Sequence, residues 1–168
     1  ERNGTPYHFI ATHLEGQGDG PGSFQRQIHN AQADQLLDVV VAGLGGNVVL
    51  MGDLNSDANG DPAKRSWTPT YGKITEAGFI DVWASAPHRG TEEGVTCCFE
   101  PGRTPDERID FVLLREAEPA PDHDDRRERG FYRADIVGDE TSDQTAGGLW
   151  PSDHAGIIAD ISDPTMRD

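Results

Sequence analysis

Polar side chains that can do acid–base or metal chemistry stand at or near the ends of several apolar stretches of this sequence. They are His13, Asp53, Asn55, Asp110, Asp153 and His154. Carboxylates and imidazoles can move protons or bind a metal ion, and an amide both donates and accepts hydrogen bonds. Rigid strand ends can hold such groups at fixed distances, as a site requires. The pattern therefore indicates a candidate site, although each residue alone also has an ordinary structural explanation.

The stretch VVLMGDLNSDANGD, residues 48–61, runs from an apolar strand directly into carboxylates and amides. An Asx turn after the strand would explain Asp53 and Asn55 without any chemistry. The alternating acids also resemble a calcium loop, but the position where such a loop places its bidentate glutamate is Lys64. We therefore do not predict a calcium loop here.

Asp110 lies between Ile109 and Phe111 in the apolar stretch RIDFVLL. A buried carboxylate is costly without a partner, so we expect a histidine beside it. The alternative is an aspartate on an edge strand that faces water. Asp153 and His154, in PSDHAG, could similarly form only a capped turn. It is improbable that the structural explanation is the right one for every one of these residues.

Strands and helices that could position these residues follow from apolar periodicity and from glycine and proline. We predict strands over residues 7–14, 47–52, 95–99, 108–114, 134–137 and 155–161. We predict helices from a Ser23 cap to about residue 41 and over 71–77, a short extended piece over 79–83, and loops over 53–69 and 119–129. The second half lacks crossover helices, which favours a mixed α/β sandwich over a regular doubly wound fold.

The overall composition fits one domain over residues 1–168, rich in loops because it holds 20 glycines and 11 prolines. A net charge of −16 argues against a broad basic surface for nucleic acid, although a bound cation could reverse the local field. No apolar stretch is long enough to span a membrane. For the adjacent Cys97 and Cys98 we favour two small, part-buried residues on a strand over a disulfide between neighbours.

Four motifs occur in an order that resembles the endonuclease/exonuclease/phosphatase superfamily. They are THL at 12–14, GDLN at 52–55, RIDFVL at 108–113 and SDH at 152–154. The segments TCCFEPG and GLWPSDHAG are further similar to secreted actinobacterial members. The resemblance implies half of a four-layer α/β sandwich with a mixed, largely antiparallel sheet. Family members have an additional N-terminal half with a metal-binding Glu, so the chain resembles the C-terminal half of the domain. We expect a fragment, a cleaved half that keeps its complement, or a half that no longer catalyses.

The resemblance also implies roles in hydrolysis of a phosphoester by in-line attack of water. Asp110 would orient His154, which would act as general base or as a cationic clamp on phosphoryl oxygens. Asp53 would polarise the attacking water or help to hold the metal, and Asn55 would orient water or contact phosphate. His13 would protonate the leaving oxygen or donate to phosphate.

Asp53 and Asp153 are the metal ligands that we predict, with Mg²⁺ favoured and Mn²⁺ or Ca²⁺ left open. Substrates left open are nucleic acid, a phospholipid and a small phosphoester, so both a nuclease and a phospholipase C-like enzyme fit. The alternative is a non-catalytic half domain for binding or assembly. Arg26 could neutralise phosphate, although a solvated arginine is the simpler expectation, and Trp150 is expected to pack rather than to cover a substrate.

Overall fold

The computed structural model describes residues 6–16, 18, 22–60, 67–87, 93–117 and 131–162. The predicted loop 119–129 and Lys64 lie outside these ranges. The strands are β1 (Tyr7–Ala11), β2 (Asn47–Asp53), β3 (Ile80–Asp81), β4 (Asp110–Arg115), β5 (Phe131–Val137) and β6 (Gly156–Ser162). The α-helices are α1 (Phe24–Gln35), α2 (Thr70–Glu76) and α3 (Val82–Ser85). A π-helical turn, Leu36–Val41, extends α1, and a 3₁₀ turn covers Thr141–Asp143.

The four-stranded sheet has the order β1–β2–β4–β3. β1 runs parallel to β2, whereas β2 and β3 both pair with β4 in antiparallel fashion. β5 and β6 form a separate antiparallel pair. The predicted α/β fold with a mixed, largely antiparallel sheet is therefore confirmed, and α1 provides the crossover that a parallel β1–β2 pair requires.

Both faces of the central strand β2 are buried, which makes the fold layered. Val48 and Leu50 pack with Leu36 and Ile74 on the helical side. Val49 points the other way and packs with residues of α3, while side chains of β5 and β6 also contact that cluster. Alternate residues of a strand face opposite sides, so one apolar run serves both clusters. Among the described helices, none is both long and apolar enough to cross a membrane.

Helix α1 begins where the sequence predicts, because the Ser23 Oγ accepts a hydrogen bond from the Arg26 amide at 3.2 Å. The predicted solvated position of Arg26 is wrong. The residue is buried, and its Nη1 donates to the Trp67 carbonyl, tying α1 to the segment before α2.

Two predicted elements differ from the structure. Residues 95–99 form no strand but a single bridge residue, Cys97, whose backbone pairs with Glu107 and His154. Cys98 has φ of 79°, a left-handed conformation that interrupts an extended chain. Residues 79–83 also divide, because the Asp81 carboxylate accepts from the Ala84 amide at 3.1 Å and so begins α3 directly after β3.

The two cysteines are joined in a disulfide, Cys97–Cys98, so the prediction of two unlinked small residues on a strand is wrong. A covalent link between neighbours fixes a tight turn, which is incompatible with regular pairing along this segment. The turn lies beside the loop that precedes β6, since Cys97 forms a bridge to His154.

Candidate active site

The chain continues to pair with β2 beyond the end of β1, and this extension places His13. The Leu14 amide donates to the Asp53 carbonyl at 3.0 Å, and the Thr12 amide donates one step earlier to β2. His13 Nε2 consequently lies 3.3 Å from Asp53 Oδ2. His13 is largely exposed, whereas the Asp53 side chain is mostly buried at the strand end. The first two predicted site residues are therefore in contact.

Gly52 makes this close approach possible. Its φ is 125°, and a Cβ built there would lie 2.0 Å from the Thr12 carbonyl oxygen. Any larger residue would push apart the two backbone segments that carry His13 and Asp53. The glycine of the GDLN motif thus has a steric reason to precede Asp53.

Asn55 is held by a tight Asx turn and faces the same two residues. Its backbone amide donates to Asp53 Oδ1 at 2.8 Å, and its Nδ2 donates to the Leu14 carbonyl at 2.9 Å. Nδ2 also lies 3.1 Å from His13 Nε2. A neutral His13 can accept there from Asn55, whereas a protonated His13 would donate to Asp53 instead. The Asx turn that the sequence predicts is therefore present, and Asn55 also lies close to His13 and Asp53.

The hydrogen bond expected between Asp110 and His154 is present, with Oδ2 and Nδ1 2.9 Å apart. Asp110 opens β4 directly opposite Asp53 in the β2–β4 register. His154 lies in the loop before β6, where its amide donates to Ser152 Oγ at 3.1 Å. The structure thus joins five of the predicted residues into one polar cluster: His13, Asp53, Asn55, Asp110 and His154.

The pKa values of Asp53 and His154 are both raised, but by different physical causes. Burial raises the pKa of Asp53, and the nearby Asp110 charge adds to this, against the opposing effect of the Asn55 amide. Burial alone would lower the pKa of His154, but the hydrogen bond and charge of Asp110 outweigh it, so the net pKa is raised. The site therefore favours a cationic His154. Asp53 in this site also binds a proton more readily than an aspartate side chain in water does.

A divalent cation fits the donor set of this cluster. One ligand atom each from Asp53, Asp110 and His154 lies within 4.8 Å of the others. Carboxylate oxygens are the donors that hard divalent ions prefer. Asp153 is outside this group of ligand atoms among the described residues, and its Oδ1 lies 3.3 Å from Ser152 Oγ. Its role as a ligand stays a prediction.

Thr96 supports the site but was not singled out from the sequence. It is fully buried, and its Oγ1 accepts hydrogen bonds from the amides of Ile109 and Asp110, at 3.1 and 3.0 Å. A threonine beside two cysteines carries no pattern that reveals such a long-range contact. Trp150 packs edge-on against Phe99 with ring centroids 5.0 Å apart, which confirms the expected packing role.

With this geometry established, comparison with known sequences identifies the family. The sequence profile of the Endonuclease/Exonuclease/phosphatase family matches residues 2–154. The chain belongs to this family. The family's name covers hydrolases of phosphoesters, and the polar cluster lies entirely within the matched residues. A comparison with curated proteins gives no significant match.

Solved structures of this family share the fold. The endonuclease/exonuclease/phosphatase family protein from Leptotrichia buccalis C-1013-b is 18% identical with a TM-score of 0.58, covering 96% of this chain and 51% of its own. Beta toxin 275-280 from Staphylococcus aureus is 20% identical with a TM-score of 0.59, covering 96% and 55%. TDP2 from D. rerio, complexed with single strand DNA product, is 20% identical with a TM-score of 0.54, covering 89% and 53%. The chain thus spans about half the length of these structures.

Proposed function

We propose that this chain carries the hydrolytic half of a metal-dependent phosphoesterase, which cleaves a phosphodiester or phosphomonoester by in-line attack of water. The observation that carries the proposal is the cluster itself. Two histidine–aspartate contacts, from His13 to Asp53 and from His154 to Asp110, meet at the ends of adjacent strands. Membership of the family supports phosphoester hydrolysis as the class of reaction.

His154 is assigned the role of a cationic clamp on the phosphoryl oxygens. Asp110 holds its Nδ1 and so orients the ring, and the hydrogen bond and charge of Asp110 raise the pKa of His154, which favours its charged form. Because Asp110 stabilises the charged ring, the pair favours the clamp over the general-base alternative for His154.

Asp53 is then assigned to the attacking water. Its carboxylate, fixed at the end of β2 beside Asn55, would accept a hydrogen bond from that water and polarise it. Asn55 would hold that water or a nonbridging oxygen through its amide. His13, which is exposed beside Asp53, would donate a proton to the leaving oxygen.

Mg²⁺ is the proposed cation, because two of the three clustered donors are carboxylate oxygens. When bound, it would neutralise charge that develops on the phosphoryl oxygens. Asp53 and Asp110 would hold it here, and Asp153 is proposed to contribute from the neighbouring loop.

The chain spans about half of the length of its structural neighbours, which supports a further part of the proposal. A complementary N-terminal segment would supply another carboxylate ligand.

For the substrate we propose a short or single-stranded nucleic acid or a small phosphodiester. One structural neighbour is bound to single-stranded DNA product. The charge of −16 disfavours long duplexes, because it repels polyanions at long range. The disulfide between Cys97 and Cys98 supports secretion, since disulfides persist in oxidising compartments. A phospholipid headgroup is the alternative that a substrate panel would detect.

The test compares Asp53→Asn with the matched control Asp57→Asn on the same loop. Asp57 is buried, and its Oδ1 accepts from the Arg108 amide at 3.2 Å, so its contribution is structural. We expect Asp53→Asn to lower turnover of bis(4-nitrophenyl) phosphate with Mg²⁺ by about a hundredfold or more. It should leave the melting temperature nearly unchanged, because it removes a charge that burial disfavours. Asp57→Asn should lower the melting temperature and spare the turnover per folded molecule.

The assay is run on this chain alone and with the complementary segment added. Equal turnover in both would show that no complement is needed. If Asp53→Asn leaves turnover unchanged in the active form, or lowers stability as much as Asp57→Asn does, Asp53 is structural and the proposed mechanism is wrong.

A further inference from the structure

The segment 96–99 holds both members of the Asp110–His154 pair, although it belongs to no regular strand. On one side, Thr96 Oγ1 accepts from the Asp110 amide at 3.0 Å. On the other, the amides of Cys98 and Phe99 both donate to the Asp153 carbonyl, at 2.8 and 3.0 Å. The position of His154 relative to Asp110 therefore depends on the shape of this segment.

Two further backbone hydrogen bonds connect the segment to the residues around His154 and Asp110. The Ala155 amide donates to the Thr96 carbonyl at 2.9 Å, directly after His154. The Cys97 amide donates to the Glu107 carbonyl at 3.0 Å, three residues before Asp110. The segment thus bridges the start of β4 and the loop before β6, and we call it the TCCF bridge, residues 96–99.

The disulfide lies at the centre of the TCCF bridge and matches its unusual backbone. Cys98 has φ of 79°, a left-handed conformation that is unfavourable for a residue with a side chain. The covalent ring joins Cys98 to Cys97 and so restricts how this turn can relax. Without the S–S bond, Cys98 is free to leave the left-handed region. The two amides that hold the Asp153 carbonyl would then lose their alignment.

We propose that Cys97–Cys98 is a thiol-exchange site that controls the geometry of the Asp110–His154 pair, so that a dithiol reductant switches the site to a less active form. A thiolate of the reductant attacks Cys98 Sγ, forms a mixed disulfide and releases Cys97 as thiolate. The second thiol of the reductant, as thiolate, then attacks the reductant's first sulfur, which is bonded to Cys98 in the mixed disulfide. This attack releases Cys98 as thiolate. The protein gains two electrons and two protons, and the reductant becomes a cyclic disulfide.

Exposure favours Cys98 as the sulfur that is attacked. Cys97 is buried at 7% exposure, whereas Cys98 is only partly buried. Cys98 Sγ also lies 3.8 Å from Glu107 Oε2. After reduction, the Cys98 thiol gains a hydrogen that it can donate to this carboxylate, which gives the reduced turn a partner that the disulfide lacks. The loss of activity on reduction rests on the function proposed above, but the structural coupling does not.

Hydrogen exchange on the intact chain tests the coupling without any assay of activity. On reduction with dithiothreitol, two thiols should appear in a thiol titration. The amides of Cys98, Phe99 and Ala155 should then exchange about tenfold faster or more, because their acceptors move. The control is the Leu54 amide, which donates to the Ile109 carbonyl just beyond the β2–β4 pairing, and its exchange should not change. Release of two thiols with unchanged exchange at Cys98, Phe99 and Ala155 would overturn the proposal.

Two double variants test the physical cause. Cys97→Ser with Cys98→Ser should exchange like the reduced protein. Cys97→Ser with Cys98→Gly should keep slow exchange, because glycine adopts a positive φ without a covalent restraint. Equal exchange in the two variants would show that the backbone conformation at position 98 does not matter.

Turnover separates this inference from the proposed function. In active protein, reduction should lower turnover about fivefold or more, and the serine–glycine variant should keep the turnover of the oxidised protein. Faster exchange in a protein that has no turnover in either redox state, even with the complementary segment added, would support the coupling and refute the proposed function. Turnover that is unchanged by full reduction would refute the control of activity.

Discussion

At the scale of single residues, the site contains two neighbouring groups whose pKa values are both raised, for different physical reasons. Burial favours the neutral form of Asp53, whereas Asp110 favours the charged form of His154. The hydrogen bond to Asp110 therefore assigns the cation to His154. Asp53 is assigned to the attacking water by its position at the end of β2 beside Asn55.

The raised pKa of His154 makes the stability of the protein depend on pH. A histidine whose folded pKa is raised stabilises the fold fully below its unfolded pKa, ordinarily near 6.5, and this contribution is lost as pH rises through the folded pKa. Asp110→Asn removes the charge that raises it. The wild type should therefore exceed this variant in free energy of unfolding most at about pH 5.5 and progressively less toward about pH 8.5. Urea unfolding at several pH values measures the difference, and an advantage that grows with pH would contradict the assignment.

At the scale of elements, the candidate residues that sequence could locate are those at the ends of strands with strong apolar periodicity. β2 and β4 are recognisable as apolar runs, so Asp53 and Asp110 could be placed before their contact was known. The TCCF bridge could not be foreseen, because its shape depends on partners at Glu107 and Asp153 and on a covalent bond. The start of α3 could not be foreseen either. The Asp81 side chain accepts a hydrogen bond from the Ala84 amide and so begins a helical turn where the sequence pattern predicts an extended segment.

Gly52 offers a test of how the β1–β2 contact positions the site. Gly52→Ala must move the Thr12 carbonyl and adopt an unfavourable φ, so we expect a loss of about 2–4 kcal/mol in free energy of unfolding. The matched control is Gly72→Ala within α2, where a Cβ meets nothing within 4 Å. It should stabilise by up to about 1 kcal/mol. Chemical denaturation of both variants measures this, and equal effects would show that the close approach at Gly52 is dispensable.

At the scale of the whole molecule, the net charge of −16 implies self-repulsion in the folded state. Raising NaCl from about 10 to about 150 mM should screen it and increase stability by about 1 kcal/mol, or about 2–4 °C in melting temperature. The control is the same titration at the sequence pI, about 4.5, where the effect should be small. Destabilisation by salt at neutral pH would show that favourable charge pairs outweigh the repulsion.

The central position of β2 also determines when the site can form during folding. The register pairs Tyr7 with Asn47 and Val48 with Arg115, so both neighbours of β2 come from distant parts of the chain. Pairings between distant residues are slow to form because large loops must close first. His13 and Asp110 therefore reach Asp53 only when the long-range sheet is complete. His154 lies still later in the sequence, so it joins the cluster after them. A chain emerging from the ribosome acquires this chemistry last, after its β-strands have found their partners.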